Sequence, residues 1–236
     1  MKKHIMFLIG EAEYESQDSM PPFIKEFEKR TGYKTTTCTS TPIEDGVEEH
    51  CFAGLKTLEG VDCLVIYTRF RVLCQKQLDM LMGYINSGKP VVGLRTSTHS
   101  FKYLAGDKNE HWNVDFGTQL FGTPWRYHHG HESTTKVMAV AGKENDPLLK
   151  GVESEFCVRS WLYHVLPLPD TCIPVLMGEA IDSIRKNPDE IMLNPVAYTN
   201  TQNGGKVFYT SLGHPEDFEV PSFINLLTNG IVWAAE

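Results

Sequence analysis

The chain predicts an α/β fold built on a doubly wound, mainly parallel sheet, in one domain spanning residues 1–236, and three observations carry that expectation. Strand-like and helix-like segments alternate through the first hundred residues, the pattern of βαβ units. The strand-like segments are continuous apolar runs, as in Ile5–Ile9, rather than alternating ones; such runs suit strands covered on both faces. A final apolar strand, Val207–Thr210, runs through Gly213 into a polar loop and then into a helix-like stretch.

In order, Ile5–Ile9 is the first strand, followed by a helix over Pro21–Arg30 with Phe23, Ile24 and Phe27 at helical spacing and a stop at Gly32. The β-branched run Thr35–Thr39 is a strand. Glu48–Leu58 reads as a short helix, with Phe52, Leu55 and Leu58 on one side. Val61–Tyr67 is a buried strand containing Cys63, a small buried hydrophobe there. Leu73–Ile85 is a helix carrying Leu78, Leu81, Met82 and Ile85, and Lys89–Leu94 is the fourth strand. Residues 106–132, rich in Trp, His and Gly, read as a long site-serving loop. Thr134–Val140 and Ile173–Met177 are further strands. Val196–Tyr198 and Val207–Thr210 pair across an Asn203-Gly204 turn, and the closing helix Ser222–Ala235 follows a proline at its first position.

Composition narrows the class. The 236 residues are 41% hydrophobic and 11% aromatic, enough for a substantial core and too ordered a composition for a disordered chain. A formal charge of -8 argues against a nucleic-acid partner, which needs a clustered cationic face. The six cysteines have no Cys-x-x-Cys spacing, so neither a zinc ribbon nor a thioredoxin motif is suggested. The opening apolar run is cut by Glu11 with no small-residue cleavage site after it. No segment reaches membrane-spanning length. The expectation is a cytoplasmic protein without a membrane or nucleic-acid partner. Exposed helices and edge strands make a homodimer the default, although no residue specifies it.

Function is expected where strand ends meet, because in open α/β sheets the loops at the carboxyl ends line the binding crevice. The first strand empties into Gly10-Glu11-Ala12-Glu13-Tyr14, the third into Arg69-Phe70-Arg71, the fourth into Arg95-Thr96-Ser97-Thr98-His99, and the last into His214-Pro215-Glu216-Asp217. This convergence nominates His214, oriented by Glu216, as a proton carrier, Arg69 and Arg95 as holders of an anionic oxygen, and Glu11, Tyr14 and His99 as ligand contacts. Each has a plainer reading: Arg71 as a solvated charge, Glu13 as a helix-start acid favoured by the macrodipole, His99 as a helix-terminus partner.

A second cluster, Trp125-Arg126-Tyr127-His128-His129-Gly130-His131, supplies aromatics for a sugar face (Trp125, Tyr127) and imidazoles that could ligate a divalent metal such as zinc. Neighbouring residues on an extended chain point to opposite sides, so His128 and His131 would share a site that His129 could not join. No His-Glu-x-x-His arrangement accompanies them, and a loop packing its aromatics on the core is the alternative.

His214-Pro215-Glu216 after a terminal strand resembles the His-x-Glu of class I glutamine amidotransferases. The segment matching the nucleophile turn of that fold is Gly93-Leu94-Arg95-Thr96-Ser97-Thr98-His99, with Arg95 where the cysteine would stand. A guanidinium stays protonated, so thiol-type glutamine hydrolysis is not expected. Over nearly its whole length the chain resembles a branch of that fold without the amidotransferase activity, the trehalose-utilisation (ThuA-like) family. The resemblance is carried by the Gly10–Tyr14 turn, the Gly93–Arg95 turn, the Gly122…His128-His129-Gly130 loop, and the tail from Gly205 through His214 to Gly230-Ile-Val-Trp-Ala. Many members carry His after the Gly-aliphatic pair, so Arg95 departs from the commoner pattern. The resemblance implies a role in the metabolism of trehalose or related glycosides, including sugars oxidised to 3-keto forms. No cofactor is evident from the sequence, with a divalent metal such as zinc as the one candidate. Three functions are then open: an enzyme moving a proton on a sugar derivative, a non-catalytic sugar-binding or regulatory protein, and a metal-dependent hydrolase using His128, His131 or His214.

Overall fold

A computed structural model describes residues 2–181, 192–202 and 204–236. The strands are β1 (His4–Gly10), β2 (Lys34–Thr41), β3 (Cys51–Phe52), β4 (Cys63–Thr68), β5 (Val91–Leu94), β6 (Thr134–Ala139), β7 (Glu155–Val158), β8 (Ile173–Ile181), β9 (Leu193–Gln202) and β10 (Gly205–Thr210). The helices are α1 (Ser16–Thr31), α2 (Gln75–Asn86), α3 (Trp112–Phe121) and α4 (Pro221–Ala235). Among the described residues the strands form one mixed sheet in the order β3-β2-β1-β4-β5-β10-β9-β8-β6-β7. Its centre, from β2 to β10, is parallel. From β10 outward, β9, β8, β6 and β7 form an antiparallel wing, and β3 caps the other edge antiparallel to β2.

The continuous apolar runs explain the layering. Successive side chains of a strand leave on opposite faces, so Ile5, Phe7 and Ile9 enter one core and Met6 and Leu8 the other. The first core takes Phe23, Phe27 and Met20 of α1 with Phe223, Leu226 and Ile231 of α4. The second takes Leu78, Leu81 and Ile85 of α2 with Phe116, Leu120 and Phe121 of α3. Helices thus cover both faces of the parallel centre, as the doubly wound expectation requires. Because β1, β4, β5 and β10 are parallel neighbours, their carboxyl ends emerge side by side.

Two expectations fail locally. Residues 48–58 are not a helix: Gly54, at φ 91, interrupts them, and Phe52 pairs with Ser40 of β2 while its N–H donates to Gln77 Oε1 at 2.9 Å. Only a 3-10 turn, Leu55–Gly60, follows. Residues 106–132 are not all loop, since α3 lies within them. Its Gly117 tolerates the helix interior because a side chain there would meet the Thr98 carbonyl oxygen at 2.2 Å; the glycine lets α3 pack against the turn after β5. β9 and β10 do pair as read, while Asn203 of the expected turn lies outside the described residues. No helix among the described residues is long and apolar enough to cross a membrane.

Candidate functional site

The site is built around the sharp turn at the end of β5. Arg95 sits at φ 39, a region that costs a non-glycine residue roughly 1–3 kcal/mol and persists where the surroundings enforce it. The enforcement is visible. Gly93 packs under Phe121 so closely that a side chain would meet the ring at 2.3 Å, and the Arg95 carbonyl accepts from Tyr209 Oη at 2.7 Å. The Arg95 side chain is fully buried. Its Nη1 donates to the Ser211 carbonyl at 2.9 Å and its Nη2 to Tyr14 Oη at 3.1 Å. Its guanidinium carbon lies 4.3 Å from the ring centre of Tyr14, 4.7 Å from that of Tyr163 and 5.6 Å from that of Trp161. Among the described residues no carboxylate lies within ion-pair distance of it. A permanently charged group is therefore lodged under an aromatic floor, held by π faces and two neutral acceptors.

Histidines stand around that floor. The His128 ring lies 5.2 Å from Trp161, 6.0 Å from Tyr163 and 5.4 Å from His131. His131 lies flat on Trp161, 4.0 Å away and 1° from parallel. His214 meets Trp161 at 6.1 Å and Tyr14 at 6.0 Å, edge to face. His99 is flanked by Phe70 and Trp125, each at 5.3 Å. Arg159 fastens the rim, donating to the carbonyls of Ser133 and His131 at 2.9 Å each, and Trp161 Nε1 donates to the same His131 carbonyl at 3.1 Å. Burial is the largest cause in lowering the proton affinity of His99, His128 and His214, and the Arg95 charge pushes all three further down. These imidazoles are held neutral.

The loop carrying His214 is locked by Asp217, which is fully buried. Its Oδ1 accepts from the backbone N–H groups of Arg159 and Ser160 at 2.8 and 3.1 Å. Its Oδ2 accepts from the Ser160 hydroxyl and from the N–H groups of Gly213 and His214 at 2.9 and 3.1 Å. Asp217 is the acid that positions this loop, and Glu216 does not take that role. The Glu216 side chain is 66% exposed and its nearer oxygen is 3.9 Å from His214 Nδ1, too far for a hydrogen bond. The Glu216 backbone N–H instead donates to His214 Nδ1 at 3.3 Å.

The remaining nominated residues divide into two groups. Tyr14, His99, Trp125, His128, His131 and His214 come together with Arg95 around one aromatic cluster. Arg69 belongs to a separate ion-pair chain: its Nη1 meets Glu13 at 2.7 Å and Asp45 at 3.0 Å. Arg71 pairs with Asp45 too and is buried, donating to Ser40 Oγ and the Ile43 carbonyl; it pins the loop after β2 and is not a solvated charge. Glu11 is fully buried and accepts the Tyr14 N–H at 2.8 Å. Burial pushes its carboxyl up to about 7, against the pull of that N–H. Tyr127 turns away from the floor. The segment 127–129 is extended and pairs with Tyr163 through a bridge at His128, so Tyr127 and His129 leave on the side opposite His128. There Tyr127 stacks on His164 at 3.9 Å, and His129 Nε2 lies 2.9 Å from His164 Nε2.

A metal does not fit the described residues. His128 and His131 are stacked ring on ring, His128 Nδ1 is taken by the His129 carbonyl, and no three His, Cys, Asp or Glu side chains among the described residues are placed to hold an ion.

Sequence reading passed over Trp161, Tyr163, Arg159, Ser160 and Asp217. The signal available was the stretch Ser160-Trp161-Leu162-Tyr163-His164, whose aromatics at alternate positions mark an extended segment with one aromatic face.

Solved structures resemble this architecture. A ThuA-like protein from Parabacteroides merdae superposes with a TM-score of 0.72 at 14% identity, covering 100% of this chain and 90% of that one. A ThuA-like protein from Bacteroides uniformis gives 0.68 at 16%, covering 99% and 91%. A cold-adapted β-galactosidase from Rahnella sp. R3 gives 0.56 at 11%, over 96% of this chain and 31% of that one. At these identities the likeness is one of fold. No curated protein matches the sequence. The family model described as trehalose utilisation matches residues 5–234, and with nearly the whole chain matched, the protein belongs to the ThuA family.

Proposed function

We propose that the protein is an enzyme of carbohydrate metabolism that moves a proton on an oxidised sugar, a 3-keto derivative of trehalose or a related glycoside. The observation that carries this reading is the set of neutral imidazoles, His99, His128 and His214, grouped around Trp161 and Tyr163 above the charge of Arg95. Trp125, exposed beside His99 and His128, offers an aromatic face to the apolar side of a sugar ring. Neutral imidazoles suit removal of a proton beside a carbonyl. Arg95, too buried to touch a ligand, would favour negative charge developing above the floor through its field in a dry site. Arg95 in place of a thiol leaves no nucleophile at the turn, so glutamine hydrolysis is excluded from the proposal. Family membership supports the substrate class.

The test is proton NMR of 3-keto-trehalose in deuterated water, with trehalose as control, using wild-type protein and His214→Ala. New sugar resonances or deuterium entering beside the carbonyl, lost in the variant, are expected. Unchanged spectra with wild-type protein would contradict the reaction for this substrate. Broadened ligand signals in unchanged spectra would favour a second reading, a sugar-binding protein without catalysis, which the fully buried Arg95 at the turn also suits.

A further inference from the structure

We propose that His128 is the base that takes the proton from carbon and His214 is the hydrogen-bond donor that holds the resulting oxyanion, their tautomers fixed in opposite senses by the backbone. The inference rests on the proton-transfer reading above. A carbonyl oxygen can only accept, so His128 Nδ1, hydrogen-bonded to the His129 carbonyl, must carry that ring's proton. Its Nε2 is then a bare lone pair. An amide N–H can only donate, so His214 Nδ1, facing the Glu216 N–H at 3.3 Å, must be the bare nitrogen. Its Nε2 carries the proton. Both rings border the Trp161 indole, so a sugar ring lying there would have a base on one side and a donor on another.

Each tautomer has a structural cause. His128 lies in the extended segment whose antiparallel bridge to Tyr163 turns the ring toward the floor. His214 is the N-cap of the 3-10 turn Pro215–Glu219, where a side-chain acceptor for the turn's free N–H groups is what a cap supplies. The Asp217 carboxylate holds the His214 N–H from the other side of the same cap.

The step balances without an oxidant or metal. His128 Nε2 takes the proton on the carbon next to the ketone. The C–H electron pair becomes a C=C bond, and the carbonyl pair moves onto oxygen, which accepts from His214 Nε2–H. After that proton exchanges with solvent on His128, its return to the same face of the carbon gives back the ketone with its configuration kept and with solvent deuterium in place of the original hydrogen. Alternatively, the enolate pair expels an oxygen substituent on the neighbouring carbon, which leaves as an alcohol carrying the proton. A ring ketone must be made first, so the reaction supplying this substrate is oxidation of a ring hydroxyl. Around His128 the charged or titratable groups are Arg95, His99, His131, Glu13 and Tyr163; around His214 they are Asp217, Glu216, Arg95, Arg159 and Tyr14.

Two readouts test the assignment. Long-range proton–nitrogen spectra of the nitrogen-15-labelled protein at slightly alkaline pH should show His128 protonated at Nδ1 and His214 at Nε2. Either tautomer reversed would overturn the proposal, whether or not 3-keto-trehalose is turned over. Absence of turnover would sink the proposed reaction instead. With turnover, deuterium uptake should fall on the order of 10²–10⁴-fold in His128→Gln. His214→Gln, which still offers an N–H, should keep part of the rate and the wild-type loss of rate at acid pH. An acid-side loss that disappears in His214→Gln and persists in His128→Gln would reverse the roles.

Discussion

The parallel centre and the antiparallel wing of one sheet treat polar side chains in opposite ways. At the carboxyl ends of β1, β4 and β5, charge is abundant but committed. Arg69 and Arg71 are tied to Glu13 and Asp45, Glu11 is sealed against the Tyr14 N–H, and Arg95 is buried beneath rings. The segments associated with the wing, residues 125–133 and 159–164, carry Arg126, Glu132 and Arg159 but are dominated by aromatic and imidazole side chains. His128, half-buried, and Trp125, at 41% exposure, are reachable from solvent. The parallel centre thus sets the field and supplies His214 from the loop after β10, and the wing adds His128 and Trp125. Burial does most to keep the imidazoles neutral, and the charge below the floor adds to it.

The largest expected effect comes from cutting the tie between the halves. Asp217 collects donors from Arg159 and Ser160 on the wing side and from Gly213 and His214 after β10. Asp217→Ala strands those buried donors and should cost about 3–5 kcal/mol, the range for breaking a buried charged network. Urea denaturation would measure it, and a loss below about 1 kcal/mol would mean that the two halves hold together without this carboxylate.

A smaller effect separates charge from packing within the parallel centre. The Glu11 carboxyl has its proton affinity raised by burial, with pKa pushed from 4.5 to about 7. Between those values the folded state holds more protons than the unfolded chain, so this group's contribution to stability is lost as pH rises through the window. Glu11→Gln should therefore gain stability relative to wild type above neutrality, by at most on the order of 3 kcal/mol, and gain little in acid. Denaturation midpoints on both sides of the window would check this. A gain that did not depend on pH would show that burial is not what raises the carboxyl.

The histidines oppose this trend. Because His99, His128 and His214 bind protons less readily when folded, each removes stability as pH falls below the ordinary imidazole range. Between about 4.5 and the ordinary imidazole range the two slopes therefore oppose each other.

Legibility in the sequence followed the same division. Strands buried on both faces announce themselves as runs such as Cys63–Thr68, and the polar residues just beyond them, Arg95 and His214 included, could be assigned to one edge from topology alone. What those residues do there could not. Whether an arginine faces solvent or lies beneath three rings depends on residues 161 and 163, far away in the chain and brought to the site by the bridge at His128 and by the hydrogen bonds of Arg159, Ser160 and Trp161. The acid that positions His214 was one residue beyond the one nominated, because a 3-10 turn brings the third side chain back to the cap and sends the second, Glu216, outward. The helix α3 hid behind the Gly and Trp content of its neighbourhood, and only close packing on Thr98 explains Gly117 inside it.

The most direct test of the division between field and surface is the titration of the imidazoles by proton–nitrogen NMR in wild type and in Arg95→Met, which keeps the buried volume and removes the charge. His99, His128 and His214 should titrate below their ordinary value in the wild type and move upward together in the variant. Burial, the larger cause, should keep them depressed. Identical titrations in a folded Arg95→Met protein would contradict that division, leaving Arg95 as filling beneath the floor rather than the source of the field above it.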